Sequence, residues 1–133
     1  MNKSIGRIIS ILSRKTQQDL KEVVAPFGIN VGEEPYFMAL VNEDGLTQDE
    51  ITKRVMVDKA ATARAVKSLE EKGFIVRETD SNDKRNKRLH LTEKGKDISQ
   101  PLKQALWTYN KSLTSQWTDK KYEEIYKALE ELL

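Results

Sequence analysis

The stretch from residue 58 to residue 92 constrains the fold of this chain more than any other, because a one-faced helix is followed there at once by a hairpin. Asp58 is placed to cap the start of the helix. Gly73 ends it, since glycine most readily takes the left-handed conformation in which helices end. The residues between them have the i, i+3, i+4, i+7 spacing of a helix that buries one face. These residues are Thr62, Ala65, Val66 and Leu69.

After Gly73 the pattern changes to short runs that are typical of β-strands. Residues 74–76 and 89–91 predict two strands, and residues 80–83 have the turn-forming sequence DSND. Because side chains alternate along a strand, His90 should point away from Leu89 and Leu91, and we interpret it as a surface residue. The stretch therefore predicts a helix followed by an antiparallel hairpin with a basic tip.

The solvent face of this helix and hairpin is small or basic. Between residues 52 and 96 there are 13 Lys and Arg against 7 Asp and Glu, whereas the rest of the chain holds 10 against 14. Such a concentration of positive charge is typical of a nucleic-acid footprint, since an ordinary solvated surface would distribute its charges more evenly. The candidate contact residues on the helix are Lys59, Ala60, Ala63, Arg64 and Lys67. Those on the hairpin are Asp83, Lys84, Arg85, Lys87 and Arg88.

A second short helix is predicted directly before this unit. Thr47 and Glu50 have the spacing of a capping box, in which the hydroxyl and the carboxylate each bond a backbone N–H group at the helix start. The helix ends near Val55, so that only Met56 and Val57 separate it from the next one. Two short helices joined by so tight a turn predict a helix-turn-helix, and the hairpin adds a wing to it.

Long amphipathic helices are predicted at both ends of the chain. The first covers about residues 3–27, another begins near Glu33, and two more follow Thr92, with Pro101 expected to bend or divide the first of these two. Their apolar surface exceeds what one small core can cover, which favours a two-fold homodimer. The alternative is that they fold back on their own core. The candidate interface residues are Ile5, Ile8, Ile9, Leu12, Tyr122, Ile125, Tyr126, Leu129 and Leu132.

These elements define the predicted fold class, which is mainly α with a small β-hairpin. Residues 1–133 form a single domain, in which residues 33–91 are a winged helix-turn-helix lobe. Residues 1–30 and 92–133 are the dimerisation helices that flank it.

The composition argues against several classes of function. With no cysteine and one histidine, the chain lacks thiol chemistry and a metal-binding cluster, so we expect no metal and no cofactor. It also lacks a phosphate-binding glycine loop and a nucleophile motif, which argues against an enzyme. No apolar run approaches the ~20 residues of a membrane span, and the N-terminus lacks the apolar core of a signal peptide. We therefore expect a cytoplasmic protein without a membrane partner.

Four short motifs in a fixed order resemble those of the MarR family of bacterial transcriptional regulators. They are an Asp-Lys helix start at residues 58–59, Leu-Glu-x-x-Gly at 69–73, Asp-x-Arg at 83–85 and Leu-Thr-x-x-Gly at 91–95. The order of the predicted elements is similar to that of the family over nearly the whole chain. The resemblance implies a homodimer that binds double-stranded DNA at a pseudo-palindromic operator, with repression as the expected effect.

The chemistry of the candidate residues agrees with this resemblance. Alanines on the helix can contact thymine methyl groups, and Arg64 can bond guanine or phosphate, whereas Lys59 and Lys67 are expected to contact phosphates only. Arg85 at the hairpin tip can enter a narrow minor groove, and Asp83 can orient it or serve simply as a turn residue. Lys84, Lys87 and Arg88 are expected to track phosphates.

The resemblance also implies a small aromatic effector, held in a cleft between the dimerisation helices and the winged lobe. Aromatic side chains at helical spacing also form ordinary cores, so both interpretations stand for these residues. The residues that would line such a cleft are Tyr36, Phe37, Met38, Trp107 and Tyr109. The alternative function is a winged helix that serves as a protein-interaction module without specific DNA binding.

Overall fold

Six α-helices and a three-stranded sheet account for most of the structure, which is a computed structural model that describes residues 3–133. In chain order these elements are α1 (Ile5–Val24), α2 (Glu34–Asn42), β1 (Leu46–Thr47), α3 (Gln48–Val55), α4 (Lys59–Glu71), β2 (Ile75–Thr79), β3 (Lys87–Leu91), α5 (Glu93–Leu113) and α6 (Asp119–Glu130). The mainly helical fold with a small antiparallel sheet confirms the predicted fold class.

Local capping signals set the starts of the helices. The capping box of α3 forms as predicted, with the Glu50 N–H donating to Thr47 Oγ1 at 3.2 Å and the Thr47 N–H donating to the Glu50 carboxylate at 3.4 Å. Asp58 caps α4 by accepting the Ala61 N–H at 2.7 Å. Thr92 and Thr118 cap α5 and α6 in the same way, since a hydroxyl here satisfies an N–H that the helix leaves unpaired.

The first helix is shorter than the sequence predicts. It ends at Val24 and is followed by a 3-10 turn at Ala25–Phe27, because Pro26 lies within that turn and Gly28 takes a left-handed φ of 77°. The helix near residue 33 begins one residue later, at Glu34, with Pro35 in its first turn as expected.

The sheet contains one more strand than the predicted hairpin. The two-residue strand β1 pairs with β3, which places β3 in the centre of the order β1-β3-β2. The hairpin strands also extend beyond the predicted runs, to residues 75–79 and 87–91. Their additional residues are exposed and polar, so they carry no apolar signal in the sequence.

The core lies between the winged elements and the middle of α5. Its largest fully buried side chains come from α2, the sheet, α3, α4 and α5. They include Phe37, Leu40, Leu46, Ile51, Val66, Leu69, Leu89 and Leu102.

Helix α5 runs unbroken past Pro101, so of the two expected outcomes, a bend or a division, the division does not occur. Pro101 is exposed, which leaves its ring on the solvent side of the helix. At the start of α5, Gly95 lies against the hairpin so closely that a Cβ there would be 2.3 Å from the Phe74 carbonyl oxygen. Only glycine permits this contact.

The end helices leave their apolar stripes in solvent. Ile5 is 66% exposed on α1 and Leu132 is 62% exposed just beyond α6. An apolar groove between these two helices is lined mainly by Ile9, Leu12, Tyr126, Leu129, Leu132 and Leu133. Within residues 3–133, no helix combines the length and the apolarity needed to cross a membrane.

Candidate nucleic-acid interface

Helix α4 separates its residues cleanly into two faces. Thr62, Ala65, Val66 and Leu69 are buried, as their spacing predicts. The Thr52 hydroxyl bonds the buried Thr62 hydroxyl at 2.8 Å and so joins α3 to α4. All five predicted contact residues of this helix are exposed, namely Lys59, Ala60, Ala63, Arg64 and Lys67. The folded lobe therefore presents a continuous small and basic surface along α4.

The buried carboxylate of Glu33 holds the C-terminal half of α4. It accepts hydrogen bonds from the Ser68 hydroxyl, from Lys72 Nζ at 2.6 Å and from the Asn30 backbone N–H at 2.9 Å. Burial alone would raise the pKa of Glu33, but these donors outweigh it, so that the pKa lies below its ordinary value. Glu33 thus fixes α4 to the segment that precedes α2.

Tyr36 of α2 is buried and lies beside α4. Burial, and then the Asp58 charge, raise the pKa of its phenol, while the Arg64 charge acts in the opposite direction. A shallow groove beside it is lined in part by Arg64 and Ser68. Arg64 therefore lines this groove and also belongs to the exposed face of α4.

At the tip of the wing, Asp83 has the geometry of a turn residue, and the side-chain hydrogen bond that would orient Arg85 is not formed. The Asp83 carboxylate accepts the Arg85 backbone N–H at 3.0 Å, as a turn residue does. The same oxygen lies 3.6 Å from Arg85 Nε, which is an ion-pair contact but too long for a hydrogen bond. The Arg85 side chain is 94% exposed, so its guanidinium projects into solvent.

The base of the wing differs from expectation at two positions. His90 is half-buried rather than a free surface residue, because its Nδ1 lies 2.8 Å from an Asp44 carboxylate oxygen and its Nε2 lies 3.5 Å from Glu78. Burial would raise the pKa of Asp44, but the bonds from His90 and the Leu91 N–H lower it. Arg88 bonds Asp80 and a backbone carbonyl, whereas Lys84 and Lys87 are exposed.

The five predicted cleft residues do not share a cavity within residues 3–133 of one chain. Tyr36 and Phe37 are buried in the core of the lobe, and Met38 borders a groove against α3. Trp107 lines a separate groove between α5 and α6. Tyr109 donates a hydrogen bond to Asp19 of α1 at 2.8 Å, and burial together with this carboxylate raises the pKa of its phenol to about 12. A single chain therefore does not form the expected effector cleft.

Several residues that position the interface were not singled out by sequence patterns. Glu33, Asp44, Asp80 and Gly95 each act through partners that are far away along the chain or in the wing loop. The turn sequence at residues 80–83 gave a signal for Asp80 and the Leu-Thr-x-x-Gly motif gave one for Gly95, but neither pattern predicts the partner. Within the described residues, no three His, Cys, Asp or Glu side chains are grouped closely enough to hold a metal ion.

An exposed basic helix of a helix-turn-helix, followed at once by an exposed basic wing, defines the winged-helix class of DNA-binding proteins. Comparison with known proteins gives the family. Residues 37–87 match the model of the MarR family. A MarR transcriptional regulator from Methanosarcina mazei Go1 has a crystal structure with a TM-score of 0.89 and 35% identity, covering 96% of this chain and 92% of that one. The chain belongs to the MarR family and is a DNA-binding transcriptional regulator.

Two further relatives show how far the likeness extends. YybA of Bacillus subtilis (strain 168), described as an uncharacterized HTH-type transcriptional regulator, is 30% identical over 96 residues, which are 72% of this chain but 61% of YybA. A MarR family regulator from Listeria monocytogenes, crystallised with a 26mer DNA, has a TM-score of 0.92 at 23% identity and covers 98% of this chain and 87% of its own. The second likeness concerns the fold alone. These relatives are regulators rather than enzymes, and none supports a protein-interaction module.

Proposed function

We propose that this protein acts in the cytoplasm as a homodimeric repressor that binds a pseudo-palindromic operator. The observation that carries the proposal is the clean division of α4, which buries its apolar face and leaves all five small and basic residues in solvent beside an exposed wing. A surface of this kind suits a DNA major groove, because it is narrow enough to enter and rich in hydrogen-bond donors.

Each part of the interface has a proposed contact. Ala60 and Ala63 approach thymine methyl groups, Arg64 bonds a guanine edge or a phosphate, and Lys59 and Lys67 bond phosphates. Arg85 enters the adjacent minor groove, where a narrow groove concentrates negative potential. The exposed Lys84 and Lys87 bond the backbone on either side of it. The major-groove and minor-groove contacts of one protomer together cover half of an operator.

The dimer is proposed from the apolar groove between α1 and α6. Ile9, Leu12, Tyr126, Leu129 and Leu132 line it, and a second copy of the same groove is a self-complementary partner for it. Ile5, Ile8, Tyr122 and Ile125 extend the same interface. A two-fold dimer places two copies of α4 about one helical turn apart, roughly 34 Å, and so demands a pseudo-palindromic site.

We also propose that a small aromatic effector binds in a cleft that includes Trp107 and Tyr109. Because Trp107 is 49% exposed and Tyr109 is bonded to α1, a cleft between them and the lobe would need the second protomer to complete it. Aromatic carboxylates that bind there should change the Trp107 fluorescence of the wild-type dimer. A Trp107→Leu variant that responds equally would contradict this assignment.

Selection of bound sequences from a random duplex pool tests the proposal as a whole. The expected result is a pseudo-palindrome with half-sites about one helical turn apart, bound by a dimer in analytical ultracentrifugation. Binding should weaken steeply with salt, with a log–log slope of about 0.9 for each phosphate contact. A protein that binds no duplex above background, or that remains a monomer at micromolar concentration, would contradict it.

A further inference from the structure

Arg88 differs from the other cations of the wing because its guanidinium already has partners on three segments. Its Nε donates to Asp80 at the start of the wing loop, at 3.1 Å. Its Nη1 donates to the Gly45 carbonyl oxygen between α2 and β1 at 2.9 Å, and lies 3.8 Å from Glu50 in the first turn of α3. A guanidinium suits this task, because its planar fork donates in several fixed directions at once.

Asp80 is the fixed anion of this arrangement. Its side chain is 11% exposed, and it also accepts the Asn82 backbone N–H at 2.9 Å. Its own N–H donates to the Asn86 carbonyl oxygen across the loop at 2.9 Å. The Asn82 bond first, and then the Arg88 guanidinium, hold the pKa of this carboxyl below its ordinary range against the effect of burial. The Asp80 carboxylate is therefore charged in the folded protein at neutral pH.

The two arginines of the wing are thus differently placed. The Arg85 side chain is 94% exposed, whereas that of Arg88 is 44% exposed and is bonded on both sides. Arg88 also lies on the central strand, with Glu78 of β2 and Thr47 of β1 as its cross-strand neighbours. Arg77 of β2 also bonds outside the wing and donates to Glu70 of α4 at 2.8 Å, whereas Arg88 joins the wing loop to the segment before β1.

We propose that Arg88 and Asp80 are positioning residues that hold the wing at a fixed angle to the helix-turn-helix, so that Arg85 and α4 reach adjacent grooves together. This inference rests on the proposed function. Asp80 fixes the start of the wing loop, and the Gly45 carbonyl belongs to the segment that leads directly into β1 and α3. Arg88 joins the two, and we call this Asp80–Arg88–Gly45 connection the wing link.

An Asp80→Asn variant distinguishes the wing link from a phosphate contact by the sign of its effect. If Arg88 binds a phosphate, removal of the nearby anion frees the guanidinium and strengthens DNA binding. If the wing link positions the wing, the variant weakens binding to the selected operator by about tenfold, because a charge-assisted hydrogen bond is lost. The salt slope stays unchanged, because no phosphate contact is removed. Unchanged or tighter binding overturns the proposal.

Two more variants separate charge from geometry. Arg88→Lys keeps the positive charge but not the planar fork, so the wing link predicts a loss similar to that of Asp80→Asn, whereas a phosphate contact predicts nearly full retention. Lys87→Gln is the matched control, since Lys87 is the exposed neighbour expected to bond phosphate. It should reduce the salt slope by about one unit. Full operator affinity for Arg88→Lys overturns the proposal.

Hydrogen exchange of the DNA-free protein gives a readout that does not depend on DNA binding. The wing link predicts about tenfold faster exchange of the amides of residues 80–88 in Asp80→Asn, with the amides of α4 unchanged, because a local opening becomes less costly. Equal exchange in the two proteins overturns the proposal. If the wild-type chain binds no duplex, the proposed function fails, and the exchange measurement still decides whether Asp80 and Arg88 hold the wing.

Discussion

The winged lobe and the end helices differ in the burial of their apolar residues. In the lobe, residues such as Phe37, Ile51 and Leu69 are completely buried, and the surface of α4 is small or basic. In α6, all of which lies in the described part of the chain, no residue is fully buried, and α1 buries only Val24. The lobe therefore buries its apolar residues within one chain, whereas the end helices leave theirs exposed, as the surface of a protein–protein interface would be before association.

This contrast separates the two requirements of an operator-binding protein. The lobe must present polar donors to DNA without losing its fold, so its stability comes from apolar contacts made within one chain. In the proposed dimer, the end helices set the distance between two lobes, and a second chain would complete their apolar surface. Substitutions in the lobe should consequently change the free energy of unfolding, and substitutions in the end helices should change the free energy of association.

The largest expected effect is at Gly95, where the lobe meets α5. A Gly95→Ala substitution places a methyl group 2.3 Å from the Phe74 carbonyl oxygen, where neither backbone can move freely. We expect the free energy of unfolding to fall by about 3 kcal/mol in urea titrations. Gly6→Ala in α1 is the control, because the nearest atom to its Cβ would be 3.8 Å away, and it should stabilise the helix by up to about 1 kcal/mol. Equal unfolding midpoints for the two variants would refute this.

Association should respond most strongly to a charge in the α1–α6 groove. Leu129→Glu puts a carboxylate where the second protomer is proposed to pack, at a cost of about 2 kcal/mol or more in dimerisation. Sedimentation velocity at micromolar concentration should then show a monomer with unchanged helical content. Lys127→Glu is the matched control, because two residues along a helix lie on nearly opposite faces. A dimer that is equally stable in both variants would remove the argument for this interface.

Features set by neighbours in sequence could be predicted, and features set by distant partners could not. The capping box at Thr47 and the cap at Asp58 depend on residues three positions apart, and both form as predicted. The strand β1 depends on Leu89, far along the chain, and two residues give no pattern of their own. The sequence therefore predicts helix starts well and the third strand not at all.

The same distinction holds within the candidate interface. The faces of α4 follow from 3.6-residue periodicity, so Lys59 and Arg64 were placed in solvent correctly. The partners of Arg88 do not follow from any period, because Gly45 and Asp80 reach it only after the sheet has formed. Charge alone makes Arg85 and Arg88 look alike, although the Arg85 side chain projects into solvent and that of Arg88 is bonded on both sides.

The buried Glu33 should make the stability of the lobe depend on pH. Its folded pKa lies below the ordinary value of 4.5, so the unfolded chain binds more protons between these two values, and the stabilisation is present above 4.5 and lost as the pH falls through the folded pKa. At neutral pH, Glu33→Gln should reduce the free energy of unfolding by about 2 kcal/mol, because the bond to Lys72 becomes neutral. Urea titrations at several pH values check this, and a difference from wild type that does not shrink in acid would contradict it.

The smallest expected effect is at Arg85, where a substitution should change operator binding without changing stability. Arg85→Ala should leave the urea midpoint unchanged, since the side chain is 94% exposed and contacts only its own turn. It should weaken operator binding by about tenfold, equivalent to about 1.4 kcal/mol, and most strongly for operators whose flanks have a narrow minor groove. Lys84→Ala, one residue earlier, should weaken binding to all duplexes alike and reduce the salt slope by about one. If gel-shift titrations show the same sequence-independent loss for both variants, Arg85 contacts phosphate only. The minor-groove role would then be lost, although the lobe would still bind DNA through α4.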